Sequence, residues 1–185
     1  MNQIILAVDG GATKTAMTIR TVDGQILFSS TTTGSNYQAI GRERVQQVFE
    51  QLLIQASEVI TERTITVAVF AIAGIDTAED ARIVREITEA SITNSPFTVE
   101  KLIVENDVEA TLLGIANGQP TTLLISGTGA ICFSFNGNKT VRAGGWGHRV
   151  GDEGSGYWIG QQVAKAIFRA ADGRDEPTIL TDLVL

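Results

Sequence analysis

Apolar residues in the first thirty positions form short runs separated by glycine-containing turns. Ile4–Val8 is a continuous apolar run that ends at Asp9–Gly11, as expected for a strand that enters a tight turn. A second strand is predicted at Ala16–Ile19, and the turn at Asp23–Gly24 leads into a third strand at Ile26–Ser29. The pattern therefore predicts a three-stranded antiparallel meander.

The apolar spacing then changes to that of alternating helices and strands. Residues 42–60 carry apolar side chains at helical spacing and predict an amphipathic helix. Thr66–Ala73 is a nearly continuous apolar run, typical of a strand that is covered on both faces. Asp76 and Glu79 have the spacing of a capping box, so we expect the next helix to begin there.

The same alternation continues with an inner strand at Leu102–Val104 and a helix that begins at Asn106 and ends near Gly118. A meander followed by alternating helices and strands predicts a mixed sheet with helices on its faces. The predicted fold class is α/β.

After Gly118 the opening order of elements repeats. Leu123–Ile125 is a predicted strand, Ser126–Gly129 is a glycine-rich tip, Ala130–Phe135 is a second strand, and Asn136–Gly137 is a hairpin turn. The repeat predicts two related domains, over residues 1–118 and 119–185. Only one helix, over about 152–171, follows the second meander, so we expect one complete domain, the truncated start of another, and a chain that is a fragment or a truncated product.

Charge and cysteine content narrow the classes of function. The formal net charge of −7 argues against a nucleic-acid or anionic-membrane partner, because both require a basic surface. Cys132 is the only cysteine among the 185 residues, which excludes an internal disulfide or a multi-cysteine metal centre within one chain. No apolar stretch is long enough to span a bilayer. We expect a cytoplasmic protein.

The first glycine tip, DGGATKT, is a candidate phosphate-binding loop. Its later N–H groups are able to converge on an anion, Thr13 offers a hydroxyl, and Asp9 is placed to hold Mg²⁺ through water. It is not a Walker A loop, and taken alone Asp-Gly-Gly is equally typical of an ordinary turn. A second tip, SGTGA, recurs at the matching place in the repeat, and two such tips would hold a triphosphate from both sides.

Asp107 follows a predicted strand and begins a predicted helix, in the segment VENDVEA. One interpretation is that Asp107 shares the capping of this helix with Asn106. The other is that its carboxylate lies at the carboxyl end of a strand, where ligands of open α/β sheets bind, and accepts a proton from a substrate hydroxyl.

The stretch from Gly145 to Gly160, GWGHRVGDEGSGYWIG, combines six glycines with both tryptophans and the only histidine. Trp158 and Phe168 share a helical face, which favours a core position for both. His148 either orients Asp152 or satisfies a loop carbonyl, and we favour a structural role.

Together, and in this order, DGGATKT, Gly34–Asn36, ENDVEA, ISGTGA and GGWGHRVGDEGSGYWIG resemble the N-acetylglucosamine kinases. These belong to the BadF/BadG/BcrA/BcrD branch of the sugar kinase/Hsp70/actin superfamily. The resemblance covers nearly the whole chain and is most specific in its last motif. It implies a ribonuclease H-like mixed sheet, the actin-like ATPase domain, with ATP and Mg²⁺ as cofactors and an amino sugar as substrate.

The resemblance also implies roles for individual residues, with Asp107 as the catalytic base toward the sugar 6-hydroxyl. Nucleotide phosphates would contact Gly10, Gly11, Thr13, Lys14, Gly127, Thr128 and Gly129. The sugar would contact Asn36, Asp107, Gly145, Trp146 and Asp152, where glycines let backbone approach the ring and Trp146 offers an apolar face. The resemblance also allows a homodimer, since the family is often dimeric.

Three alternatives remain. In the first, the sugar that accepts the phosphoryl group is glucosamine, N-acetylmuramate or glucose. In the second, the chain binds a sugar without catalysis, because the adenine-binding part of the family would lie beyond residue 185. The third is an ATP-dependent activator of a dehydratase or reductase. That class holds a cysteine-ligated cluster at a dimer interface, and a chain with Cys132 alone fits it poorly.

Overall fold

The computed structural model describes residues 3–184, which divide into two compact units with the boundary between Thr111 and Leu112. The first unit contains a five-stranded mixed sheet and its helices. Its elements are β1 (Ile4–Gly10), β2 (Lys14–Thr21), β3 (Ile26–Thr33), α1 (Tyr37–Ile40), α2 (Arg42–Val59), β4 (Thr64–Ile72), α3 (Ala78–Thr93), β5 (Thr98–Asn106) and the first half of α4 (Asp107–Ala116).

The sheet of the first unit has the strand order β3-β2-β1-β4-β5. The strands β1, β2 and β3 are antiparallel neighbours, which confirms the predicted meander, and β1, β4 and β5 run parallel. The α/β class with a mixed sheet is therefore confirmed. The carboxyl ends of the three parallel strands meet at one edge of the sheet, where α/β proteins place their ligands.

Strand β1, at the centre of this sheet, buries alternate side chains. Ile4, Leu6 and Val8 point to one face and are at most 2% exposed, as the two-residue period of a strand requires. The prediction of an inner strand at Leu102–Val104 is wrong in position, because β5 lies at the edge of the sheet and most of its side chains are exposed or half-buried.

Helix α2 packs its apolar stripe on the sheet. Its bounds agree closely with the predicted range of 42–60. The core contact is an edge-to-face pair of Phe49 from α2 and Phe70 from β4, with ring centroids 5.2 Å apart. Both rings are fully buried. An edge-to-face pair adds about 0.5–1.5 kcal/mol to the effect of burying the rings.

Helix α3 begins one residue later than the sequence indicates. Thr77, with extended backbone, is the N-cap, and its hydroxyl accepts a hydrogen bond from the amide of Asp80, while Asp80 accepts from the amide of Thr77. The predicted capping pair of Asp76 and Glu79 is therefore wrong. Two overlapping pairs had the required spacing, and the backbone conformation at Thr77 decides between them.

The second unit repeats the opening topology, as the sequence predicts. Its elements after α4 are β6 (Thr121–Ser126), β7 (Ala130–Phe135), β8 (Thr140–Gly144), α5 (Gly156–Ala171) and α6 (Leu180–Val184). The three strands form an antiparallel meander, and a three-residue tip joins the first two, as in the first unit.

Helix α5 is shorter than predicted, because residues 152–155 form a loop that ends at the N-cap Ser155. The expectation that Phe168 lies in the core is wrong within this unit. Phe168 is 61% exposed, whereas the preceding Ile167 is 4% exposed. Successive residues of a helix point about 100° apart, so the face of α5 that buries Ile167 leaves Phe168 exposed. Trp158 is half-buried.

No helix within residues 3–184 combines the length and the apolar character needed to cross a membrane.

The Phe49–Phe70 pair predicts a large effect of one truncation. Replacing Phe49 with alanine removes a fully buried ring from α2 and should lower the free energy of unfolding by about 3–5 kcal/mol, measured by urea denaturation. The matched control is Ile54→Ala on the same helix. Ile54 is 50% exposed, and its loss should change stability by no more than about 0.5 kcal/mol. Equal effects of the two changes would contradict this description of the core.

Candidate functional site

The first glycine tip is covered by the loop that follows β3. The amide of Ser35 donates to the carbonyl of Gly11 at 3.0 Å. A Cβ atom on Gly34 would lie 2.1 Å from the carbonyl oxygen of Ala12, so a side chain at this position would collide with backbone. Tip and loop are thus held together by a contact that only glycine permits.

A similar close approach fixes the end of β1. A Cβ atom on Gly10 would lie 2.3 Å from the hydroxyl of Ser35 and 2.6 Å from the side chain of Ile72. The amide of Ala73 also donates to the carbonyl of Gly10 at 2.7 Å. The loops after β1, β3 and β4 therefore meet at the predicted phosphate tip.

The predicted sugar residue Asn36 lies in the same group of loops. Its side-chain oxygen caps helix α1 by accepting the amide of Gln38 at 3.0 Å. Gly74, with φ of +87°, has room for no side chain because a Cβ atom there would lie 2.7–2.9 Å from the Asn36 amide group. The structure thus places Asn36 against the loop after β4 and directly after Ser35, which contacts the first glycine tip.

Asn106, the last residue of β5, connects this group of loops to Asp107. Its side-chain NH₂ donates to the carbonyl of Ile75 at 3.1 Å, and its side-chain oxygen accepts from the amides of Val108 at 2.9 Å and Glu109 at 3.1 Å. Asn106 therefore caps helix α4. The Asp107 carboxylate also accepts the amide of Val108, at 3.0 Å. The cap is satisfied without Asp107, which favours the functional interpretation of its carboxylate.

The pKa of the Asp107 carboxyl is raised above its ordinary value. Burial is the largest cause, and the negative charges of Asp9 and Asp76 add to it, while the hydrogen bond from Val108 acts in the opposite direction. These three carboxylates lie at the carboxyl ends of β5, β1 and β4. Such an arrangement raises proton affinity, as a general base requires, and attracts cations.

Magnesium fits this arrangement in a limited way. Among residues 3–184, no group of three or more His, Cys, Asp or Glu side chains is placed to hold a metal ion by itself. Mg²⁺ commonly binds proteins through one or two carboxylates, with waters and substrate phosphates as the other ligands. Asp9, exposed at the end of β1 beside the glycine tip, suits that mode.

In the second unit, the other predicted tip is bound to the start of α5. The amide of Gly156 donates to the carbonyl of Gly127 at 2.7 Å, and the hydroxyl of Ser126 donates to the carbonyl of Gly154 at 3.0 Å. The Asp152 carboxylate lies against Gly129, where a Cβ atom would be 2.9 Å from Oδ2. A predicted sugar residue and a predicted phosphate residue are therefore neighbours here. Asp152 has a positive φ of 61°.

Gly145 and Trp146 are held by an arginine that the sequence interpretation missed. Arg142 donates from Nη2 to the carbonyl of Gly145 at 2.6 Å, and its guanidinium lies 4.6 Å from the centroid of the Trp146 ring. Trp146 is still 64% exposed, so its ring is accessible to a ligand. Only the proximity of a cation to an aromatic residue in the sequence could have indicated this contact.

His148 contacts an aromatic residue of the same unit. Its ring packs edge-to-face on Tyr157, with centroids 4.8 Å apart. The observed contact is neither of the two predicted from the sequence, and the structural role of His148 stays a prediction. Cys132 lies half-buried in β7.

The predicted site residues thus form two local sets. In the first unit, the tip, the loop after β3 and the helix start of α4 bring together Asp9, Gly10, Gly11, Thr13, Lys14, Asn36 and Asp107. The second unit contains Gly127, Thr128, Gly129, Gly145, Trp146 and Asp152. Their roles toward nucleotide and sugar stay predictions.

Curated relatives are kinases of amino sugars. The chain is 35% identical over 184 residues to an N-acetylmuramic acid/N-acetylglucosamine kinase of Clostridium acetobutylicum, an alignment that covers 98% of this chain and 58% of the relative. It is 28% identical over 197 residues to an N-acetyl-D-glucosamine kinase of Dictyostelium discoideum, covering 99% of this chain and 60% of the relative. The chain therefore spans somewhat more than half the length of the curated relatives it matches.

Solved structures agree on the fold. A protein of Chromobacterium violaceum assigned as an N-acetylglucosamine kinase superposes with a TM-score of 0.68 and 26% identity, over 100% of this chain and 63% of the other. A glucokinase of Balamuthia mandrillaris, solved with glucose, gives a TM-score of 0.58 at 13% identity, over 95% of this chain and 57% of the other, and so shows the fold alone. Residues 6–182 match the BadF/BadG/BcrA/BcrD ATPase family, and the chain belongs to that family.

Proposed function

We propose that the chain takes part in ATP-dependent phosphorylation of the 6-hydroxyl group of N-acetylglucosamine. The observation that carries the proposal is the state of Asp107. Its carboxylate follows a strand end, has a raised pKa, and is not needed to cap α4 because Asn106 does so. The chain spans only part of the length of its relatives, so its kinase activity is itself part of what we propose.

In the proposed phosphoryl transfer, each participating group has one role. ATP supplies the γ-phosphoryl group, and Mg²⁺ neutralises phosphate charge. Asp107 accepts the proton of the sugar hydroxyl as its oxygen attacks phosphorus. Asn36 orients the sugar through its side-chain NH₂, since its oxygen already caps α1. Gly10, Gly11, Thr13 and Lys14 provide backbone and polar groups toward the phosphates.

The second unit is proposed to contribute its own set of contacts. Gly127, Thr128 and Gly129 would contact phosphate, while Gly145, Trp146 and Asp152 would contact the sugar. The exposed ring of Trp146 and the carboxylate of Asp152 suit the apolar face and the hydroxyl groups of a pyranose.

N-Acetylmuramic acid is a second candidate acceptor. The relative with 35% identity is named for both N-acetylmuramic acid and N-acetylglucosamine, which supports either sugar as the acceptor. A lactyl-bearing sugar adds a carboxylate, which must be accommodated without a clash with acidic residues such as Asp152.

The acceptor is identified by thermal unfolding with a panel of sugars, each with and without Mg-ATP. A ligand present at about one hundred times its Kd should add roughly 2.7 kcal/mol to the stability of the folded chain. We expect stabilisation by N-acetylglucosamine, with glucose and mannose as controls that stabilise less. If no amino sugar stabilises the chain, the proposed substrate class is wrong.

Asp107→Asn should abolish turnover while it preserves sugar binding. The amide keeps the shape of the side chain but cannot accept a proton, so kcat should fall by about two to four orders of magnitude. Calorimetric titration with N-acetylglucosamine should give nearly the same Kd. Glu109→Gln, which removes a carboxylate from the first turn of the same helix, is the matched control and should retain activity. Retained turnover in Asp107→Asn would disprove the assignment.

The same substitution should stabilise the fold at neutral pH. Because the folded-state pKa of Asp107 is raised, the charged carboxylate opposes folding above that pKa, and stability is lost as pH rises through it. Asp107→Asn should therefore unfold at a higher temperature than the wild type at pH 7. The advantage should disappear as pH falls toward about 4, the ordinary aspartate range. An advantage independent of pH would mean that the carboxylate charge is not its cause.

A further inference from the structure

Asp80 is a buried carboxylate at the start of α3, outside the candidate site. It is 8% exposed. One of its oxygens, Oδ2, completes the cap of α3 by accepting the amide of Thr77 at 2.7 Å, the hydroxyl of Thr77 at 2.7 Å and the amide of Asp76 at 3.1 Å. This part of its environment is an ordinary capping box.

The second oxygen of Asp80, Oδ1, is directed to a different element. It accepts the hydroxyl of Tyr37 and, at 3.3 Å, the side-chain NH₂ of Gln38. Both donors belong to α1, the four-residue helix that Asn36 caps. Asp80 therefore connects the start of α3 to α1, which directly follows the predicted sugar contact Asn36.

Helix α1 is held in part by the half-buried Tyr37, which packs against the hydrophobic core. It is a single turn without a fully buried residue, and isolated helices of this length are unstable in water. The side chain of Gln38 adds one contact, a hydrogen bond to the carbonyl of Gly74 at 3.0 Å. The hydrogen bonds to Asp80 act together with the packing of Tyr37 to fix α1 and, through its cap, the Asn36 side chain.

The charge of Asp80 strengthens this connection. Burial alone would raise the pKa of Asp80, but the hydrogen bonds from Tyr37, Thr77 and Asp76 outweigh it and lower the pKa to about 2. The carboxylate is therefore ionised at every pH at which the protein would act. Hydrogen bonds to a charged acceptor are stronger than those between neutral groups.

We propose that Asp80, acting through Tyr37, is a positioning residue that holds Asn36 in place to receive the sugar. The inference rests on the proposed sugar-binding function. The two oxygens of Asp80 then have different roles. Oδ2 stabilises the start of α3, whereas Oδ1 fixes the position of the predicted sugar contact Asn36. The phosphate tip has its own contacts with the chain, through Gly34 and Ala73, and does not depend on this pair of hydrogen bonds.

The test uses Tyr37→Phe, which removes one hydroxyl group and leaves the capping box of α3 intact. Affinity for N-acetylglucosamine should fall about tenfold, because the free variant would then hold Asn36 in the binding position for only about a tenth of the time. Amide hydrogen exchange at Ala39, Ile40 and Gly41, whose N–H groups bond to carbonyls of Asn36 and Tyr37, should be faster in the absence of ligand. Affinity for Mg-ADP should be unchanged. The protection from hydrogen exchange that Mg-ADP gives to the first glycine tip should be unchanged as well.

Tyr157→Phe is the matched control, because it makes the same chemical change at the other tyrosine of the chain. Its sugar affinity and its exchange at Ala39–Gly41 should equal those of the wild type. If Tyr37→Phe leaves either sugar affinity or exchange unchanged, the positioning role is overturned. If the wild-type chain itself binds no amino sugar, it is the proposed function that fails, and the positioning role fails with it.

Discussion

The close approach of backbone at the carboxyl ends of the parallel strands is the constraint on which the first unit's site depends. Gly10 and Gly34 are packed so tightly that a single Cβ atom would meet Ser35 or the carbonyl of Ala12. The contact keeps the glycine tip and the loop carrying Asn36 in one fixed arrangement. Since those loops are also joined to the segment after β4, a change at one of these glycines would displace several predicted ligand contacts together.

Electrostatics acts against stability in the same region. Asp9, Asp76 and Asp107 lie close enough that the first two raise the pKa of the third. Like charges gathered at a sheet edge oppose folding, and a bound cation would relieve that repulsion. A local cost of this kind is common where residues are arranged for chemistry rather than for stability.

Features that depend on local sequence were predictable, and features that depend on distant partners were not. Glycine turns and strand periodicity revealed both meanders and both tips, because these signals lie within a few residues. The contacts of Arg142 with Gly145 and of Tyr37 with Asp80 left little trace, since pattern alone does not show which side chains meet in space. The exposed position of Phe168 was missed because helical periodicity fixes a face only approximately.

Asp152 keeps a carboxylate in the second unit at a position where the backbone is strained. Its backbone has a positive φ of 61°, which costs a residue other than glycine on the order of 1 kcal/mol. Glycine would adopt this conformation without strain but would remove the carboxylate that lies on Gly129. Replacing Asp152 with glycine would therefore relieve the backbone strain, offset in part by the larger conformational entropy that glycine loses on folding, and it would remove a predicted sugar contact.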